Sequence, residues 1–375
     1  MNDWYHRQSS DLVTQYLSMQ GMTGQGLSGV SQGNEPVPDS GLINGVGQWG
    51  SSQAYSSYTL QANKTYKLRL INSGSFAAIR FSLDDHVLTV VEADGTDMEP
   101  FDVSGLVIQV AQRYSVLVRT NQTAQAYWMR ATVQQDAFTY TEDGFDGNQL
   151  GVFRYGVDPS VMPDSSLITN DPGSGSTNVS DMDTSSLVPA NVIDAPNATV
   201  SYTITVSMQN TADNKWLSFV NSTSWSPLQG QATLFQQPGK DVVGAGVFDD
   251  QSQFIVTVPN EEVIDLVVNN YDDGDHPFHL HGHKFWIMGQ GAGRYQAQTL
   301  NSTNPSRRDT VLLPAYTWTV LRFKADNRAF HCHIVWHMAA GLLMQFSTLP
   351  TQVAEPPGYM LDQCRSNINS VGVTG

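Results

Sequence analysis

Apolar and polar residues alternate in short bursts along most of the chain. Tyr66, Leu68 and Leu70 are interleaved with Lys67 and Arg69, the period-2 pattern of a half-buried β-strand. Comparable runs at 79–83, 87–91, 106–110, 114–118 and 127–131 are separated by Gly, Asn and Asp turns. A second set begins at 200–206 and continues at 254–258, 263–268 and 317–323. Short strands at this spacing predict antiparallel sandwiches or barrels. Asp3 to His6 reads as a strand end. One short helix follows, with Leu12, Val13, Tyr16 and Leu17 on one face and Ser9 or Ser10 as its N-cap.

Between the two sets, 158–197 is rich in Ser, Asp, Pro, Thr and Asn and has no sustained period, as expected of a surface connection. The stretch 21–34 is Gly/Ser/Gln-rich and reads as loop, and Glu355-Pro356-Pro357-Gly358 turns the chain into a tail. The expected organisation is one sandwich at 1–157, a linker at 158–197, a second sandwich at 198–350 and a tail at 351–375.

Composition narrows the class. Only 14% of the 375 residues are charged, against about 25% in ordinary globular chains; 31 Gly and 17 Pro suit a loop-rich all-β protein. The net charge of −16 argues against nucleic acid and anionic membranes, whose phosphates would repel it. No apolar run approaches the roughly 18 residues of a membrane span. Met1 to His6 has neither the basic start nor the apolar stretch of a signal peptide. Six sequons, at Asn63, Asn121, Asn178, Asn197, Asn221 and Asn301, nevertheless tilt towards a glycosylated, secreted parent.

The chemistry is concentrated in two stretches. In His331-Cys332-His333-Ile334-Val335-Trp336-His337, three histidines flank a cysteine. If His331 to His333 is extended, period 2 puts both histidines on one face and Cys332 on the other. In His276-Pro277-Phe278-His279-Leu280-His281-Gly282-His283, the same period places His279, His281 and His283 together, while Pro277 lets His276 project differently. Cysteine with two histidines is the ligand set of a blue-copper centre, and the remaining histidines suit a second site. Cys332 has two other readings, a disulfide with Cys364 or an inert buried thiol. The density of histidines around it favours metal.

These two stretches, His-Pro-Phe-His-Leu-His-Gly-His and His-Cys-His-Ile-Val-Trp-His followed by Gly341-Leu342, resemble the C-terminal copper signatures of multicopper oxidases, most closely of fungal laccases. Gly41 to Gly45 and Ile71 to Gly74 are similar to stretches of that family's second domain. The resemblance implies an all-β fold of two cupredoxin-like Greek-key sandwiches or barrels with a few short helices, and copper as cofactor. It implies that His276, Cys332 and His337 bind type 1 copper, with Leu342 at the axial position. His279 matches the type 2 ligand, and His281, His331 and His333 match type 3 ligands. His283 matches no ligand position and is expected to be supporting or structural.

The family builds its three-copper cluster from eight histidines, four of them in two His-X-His motifs of an N-terminal domain. Neither of those two N-terminal motifs is found here, where every His-X-His run belongs to the two stretches above, and the other histidines, His6 and His86, are isolated and expected to be structural or at the surface. Asp3-Trp4-Tyr5-His6 resembles the start of the family's second domain, so the first is expected to be missing, along with the partner of Cys364. The resemblance implies one-electron oxidation of phenolic or other small aromatic reductants coupled to reduction of dioxygen, with the entry site complete and the oxygen site half built. Two alternatives are a copper-binding electron-transfer fragment without oxidase turnover, and a ferroxidase. A ferroxidase needs acids near the type 1 histidines, for which Glu92 and Asp94 are candidates. A phenol oxidase also needs a carboxylate there, to take the phenolic proton. Asp94 matches the family's substrate-anchoring acid and is counted with the catalytic candidates; its alternative is a residue of an Asp-Gly turn.

Overall fold

The structure is a computed structural model and describes residues 1–18, 34–165, 180–212, 215–228, 232, 252–360 and 362–363. Its strands form four principal sheets. Two lie between Ser56 and Tyr155. One has the strand order Gly105–Ile108, Ile79–Leu83, Ala126–Val133, Asn148–Tyr155, Ser56–Leu60, and the other Thr65–Ile71, Arg113–Arg119, Leu88–Ala93, Thr96–Val103. The other two lie between Val200 and Thr348. The outer one runs Trp216–Val220, Val200–Asn210, Val263–Asn270, Thr317–Lys324, Phe285–Ala292, Arg307–Arg308. The one that bears the histidines runs Ile255–Val258, Leu343–Thr348, Arg328–Cys332, His276–Leu280, Thr310–Leu313.

Each pair of sheets is a mixed, not purely antiparallel, sandwich. Asn148–Tyr155 pairs in parallel with Ser56–Leu60, Val200–Asn210 with Val263–Asn270, and Ile255–Val258 with Leu343–Thr348. Strands such as Asn148–Tyr155 show no alternation because almost every residue in them is buried. Period alone does not separate such runs from other buried segments.

Two helices matter for the site. The helix α1 (Ser9–Tyr16) buries Leu12 and Tyr16 as expected, but its N-cap is Gln8, which forms no side-chain cap. The second, α2 (Val335–Ala339), buries Trp336 and His337. Leu12, Tyr16 and Phe76, all from the N-terminal part, join Phe278, Phe330, Cys332, Trp336, Leu342 and Phe346 in one core. The core of the histidine-bearing sandwich therefore extends into the first part of the chain. A separate core, with Val90, Leu106, Val116 and Phe153, fills the first sandwich.

Segments within the expected linker are strapped down at both ends. Asp181 binds Arg80 (2.6 Å), and the carbonyls of Asn191 and Ile193 accept from Arg307. Among the described residues no helix is long and apolar enough to cross a membrane. The sequon residues Asn63, Asn121, Asn197, Asn221 and Asn301 are exposed, and Asn178 lies outside the described residues.

Candidate metal centre

The histidine-bearing strands are neighbours in register. Phe278 pairs with Cys332 and His279 with His331, so the last two side chains share a face as cross-strand partners. Their rings lie 6.0 Å apart. On the opposite face, the Cys332 sulfur faces the Nδ1 atoms of His276 (3.8 Å) and His337 (3.6 Å). Those two nitrogens are 2.9 Å from each other. Cys332 and His276 have no exposed surface, and His337 has 5%. Cys332 is a free thiol, which removes the disulfide reading; Cys364 lies outside the described residues.

The chain between Cys332 and Leu342 forms a short loop pinned at both ends. Leu342 donates its N–H to the His337 carbonyl (3.0 Å) and accepts the Cys332 N–H (3.0 Å). Gly341 has φ 129°, and a β-carbon there would collide with the Ser218 carbonyl and the Ser224 hydroxyl. Only glycine fits this turn. Leu342 itself is fully buried.

Outward-facing partners fix the tautomers. His276 presents Nε2 to Asp272 at 3.0 Å, and His337 presents Nε2 to Glu35 at 3.6 Å. With each Nε2 directed at a carboxylate, Nδ1 is the nitrogen that each ring turns towards the sulfur, the second-sphere arrangement typical of metal-binding imidazoles. Burial would raise the Cys332 thiol, but His337 and His276 bring it down to about 7. Burial would lower His337, yet the thiolate and Glu35 hold it up at about 10. Burial raises Asp272, but the His276 hydrogen bond carries it below the usual carboxylate range. Among the described residues, His276, Cys332 and His337 are the one set of three donors lying within 4.8 Å of one another. A buried thiolate and two imidazoles fit a thiophilic ion such as copper.

The second face carries four histidines. The Nε2 atoms of His281 and His331 are 2.9 Å apart, and His279 lies with its ring 5.1 Å from His281 and 5.8 Å from His333. Burial and the neighbouring imidazoles lower His331 to about 4, and the same causes lower His281 and His333. They stay neutral, as ligation requires. His331 Nδ1 donates to the Cys332 carbonyl (2.9 Å), and His279 Nδ1 to that of Asp309 (2.8 Å). His283 does not join them. Gly282 (φ 88°) turns the chain after Leu280, and His283 packs against Phe323 instead. The expectation that three alternate histidines share one face fails because the strand ends at Leu280.

Asp94 requires correction. It is 1% exposed, and its carboxylate accepts from Arg308 Nε (2.7 Å) and the Arg113 N–H (2.8 Å). Asp94 and Gly95 both have positive φ in the turn between Leu88–Ala93 and Thr96–Val103. The turn reading therefore holds, and a buried ion pair is added to it. This carboxylate is committed to those donors and has almost no surface turned to solvent. Glu92 is likewise occupied, by Lys67 (2.7 Å) and Ser115 (2.8 Å). Among the described residues, the acids beside the sulfur-side histidines are Glu35 and Asp272, neither singled out by the sequence. His86 is buried, with Nδ1 on the Asp84 carbonyl and Nε2 on the Tyr155 hydroxyl.

Against this geometry, the comparisons with known proteins agree. Two family models, both described as multicopper oxidase, match residues 1–157 and 221–352. The chain is 31% identical over 382 residues to iron transport multicopper oxidase fio1 of Schizosaccharomyces pombe, covering 97% of this chain and 57% of that protein. It is 31% identical to laccase-3 of Botryotinia fuckeliana, covering 84% of this chain and 72% of the other. The crystal structure of Fet3p, a multicopper oxidase that functions in iron import, superposes with a TM-score of 0.80 at 24% identity, over 98% of this chain and 69% of that one. The chain belongs to the multicopper oxidases, a family of copper-dependent oxidoreductases with cupredoxin-like sandwiches. It spans little more than half the length of the S. pombe relative.

Proposed function

We propose that this chain carries the electron-entry half of a multicopper oxidase and that its preferred reductant is a small cation such as ferrous ion. One observation supports this reading above others: each sulfur-side histidine has a carboxylate at its outer nitrogen, Asp272 for His276 and Glu35 for His337. Both acids keep partial exposure, 11% and 14% of their side chains, so they face a reductant arriving from solvent. Carboxylate oxygens favour a hard divalent ion over a neutral ring.

His276, Cys332 and His337 would hold type 1 copper, with Leu342 as the axial neighbour. His279 would serve a type 2 site, and His281, His331 and His333 a type 3 pair. Copper at these sites supplies one-electron chemistry, with dioxygen as the family's terminal acceptor. Asp272 and Glu35 draw the cation to the outer edges of the two imidazoles and hold it there. Cys332 and His331 are consecutive residues, and the His331 Nδ1–H bond to the Cys332 carbonyl adds a second link between the two faces.

Phenol oxidation is the second reading. Laccases stand among the relatives at similar identity, and Asp272, already an acceptor from His276, would take the phenolic proton. Four imidazoles are half of what a three-copper cluster uses. The remaining ligands would come from a histidine-bearing cupredoxin domain, within a longer parent or as a second chain. The exposed sequons fit a secreted, glycosylated parent.

Anaerobic stopped-flow reduction separates the two reductants without needing oxygen turnover. The copper-loaded chain is mixed with ferrous ion or a neutral phenol, and bleaching of its blue band is followed. Glu35→Gln with Asp272→Asn should slow ferrous ion at least about tenfold and phenol far less, a loss of roughly 1.4 kcal/mol of cation-specific stabilisation. Equal slowing of both reductants, or loss with phenol alone, would favour the laccase reading.

A further inference from the structure

Asp3 sits at the N-terminal end of the chain, remote in sequence from every proposed ligand, yet it is 4% exposed. Its carboxylate collects three consecutive backbone donors: Ser75 N–H on Oδ1 (2.8 Å), and Phe76 (2.7 Å) and Ala77 (3.0 Å) on Oδ2. Fully buried Asn72 braces the same loop. Its amide donates to the Ala77 and Ile108 carbonyls, both at 2.9 Å, and its Oδ1 accepts from Gly74 (3.0 Å). A β-carbon at Gly74 would come within 2.9 Å of the Asp3 carboxylate.

What this rigid loop holds is the start of α2. The Val335 N–H donates to the Ser75 carbonyl at 2.9 Å. The first N–H groups of a helix have no partner inside it, and Ile334, the N-cap of α2, supplies no side-chain cap. Ser75 therefore supplies the cap from the other sandwich. Two residues further on is His337, and the Phe76 ring meets its imidazole edge-on at 6.5 Å.

Resting on the type 1 reading above, we propose that Asp3 is a positioning residue for His337. It orients the Ser75 carbonyl and the Phe76 ring, and these fix the start of α2 and thereby the direction of the His337 imidazole. The first sandwich contributes no ligand to the sulfur-side site but sets the geometry of one.

The test compares four full-length variants with the parent: Asp3→Ala, Asp3→Asn, Val335→Pro and Asp84→Asn. Proline is tolerated at the first helical position, so Val335→Pro removes the donor to Ser75 while leaving the helix intact. Asp84→Asn is the stability control, since Asp84 pairs with buried Arg130 inside the first sandwich (2.7 Å). Three readouts are taken: amide exchange of Val335 in the copper-free chain (Ile334 in Val335→Pro), copper affinity, and the EPR hyperfine splitting and potential of the blue site.

Asp3→Ala, Asp3→Asn and Val335→Pro should speed local exchange, weaken copper binding about tenfold, as loss of an outer-shell partner does, and shift hyperfine splitting and potential. Asp3→Ala and Val335→Pro should be non-additive in combination, because they cut one path. Asp84→Asn should lower the melting temperature and leave the copper signals in place. Unmoved hyperfine splitting, potential and affinity in Asp3→Ala or, if that variant does not fold, in Val335→Pro, would overturn the inference while the site reading stands. A parent chain that binds copper without a blue band would overturn both.

Discussion

His276 donates through Nε2 to Asp272 at 3.0 Å, so that its Nδ1 faces Cys332 from 3.8 Å away. One carboxylate thus sets the tautomer on the metal side and lays a negative charge on the solvent side. The local chain explains its position. Asp272 starts a turn in which Asn270 Oδ1 accepts its N–H (3.0 Å) and Asp272 Oδ2 accepts that of Gly274 (3.2 Å). The turn brings residue 272 back over residue 276.

Removing the sulfur should remove the blue site. In Cys332→Ser a hydroxyl replaces the thiolate, and His276 with His337 alone would hold copper poorly. The expected result is no intense visible band and no type 1 EPR signal after copper loading. A blue band surviving in this variant would take Cys332 out of the site.

Leu342→Met probes the axial position. Leucine has no donor atom, whereas a thioether adds a weak fourth ligand and should lower the potential. The two side chains have similar volume, so stability should change by less than about 1.5 kcal/mol. Redox titration of the blue band checks this, and an unchanged or higher potential would place Leu342 elsewhere.

Asp94→Asn should act on stability and not on the reductant. Asp94 and Arg308 form a buried ion pair between the two sandwiches, and Arg308 also donates to the Tyr114 hydroxyl (2.6 Å). Breaking such a pair from one side costs about 3–5 kcal/mol. Urea denaturation should register that loss, while anaerobic bleaching rates with ferrous ion and phenol stay within about twofold of the parent's, under 0.5 kcal/mol of barrier.

Acid sensitivity should trace partly to His86. Burial lowers this imidazole below its ordinary value near 6.5, opposed by the Asp84 carbonyl. The unfolded chain then binds a proton that the folded one refuses. Stability from His86 is present above about pH 6.5 and is lost as pH falls towards the folded value. His86→Gln should flatten the acid limb by at most about 1.4 kcal/mol per pH unit. Urea midpoints at several pH values below 7 measure the slope, and an identical limb in the variant would assign it to other groups.

Much of the site could be read in the sequence because its chemistry follows strand periodicity. His331, Cys332 and His333 are consecutive, and period 2 alone sends the sulfur to one face and the imidazoles to the other. The cross-strand pairing of His279 with His331 then follows from two adjacent strands. Glu35 and Asp272 were less accessible. Glu35 reaches His337 only through folding of the N-terminal segment onto the second sandwich, a relation no local pattern encodes. Asp272 lies in Asp272-Asp273-Gly274-Asp275, where acids read as turn formers; its signal was the spacing of four residues to His276. Asp94 misled because its partner, Arg308, comes from the other sandwich.

Copper counting combined with oxygen uptake by the purified, copper-loaded chain tests whether the chain holds the entry site alone. His6 pairs with Asp39 (3.0 Å), His86 with Asp84 and Tyr155, and His283 packs on Phe323. That leaves four imidazoles on the oxygen side for a cluster that needs about twice as many. The expected result is one blue copper per chain, bleached stoichiometrically by reductant under argon, with no sustained oxygen consumption in air. Adding a cupredoxin domain that bears two His-X-His motifs should restore uptake. Sustained reductant-dependent oxygen consumption by the chain alone, linear in its concentration, would mean that four imidazoles suffice for an oxygen site and that the chain is more than an entry half.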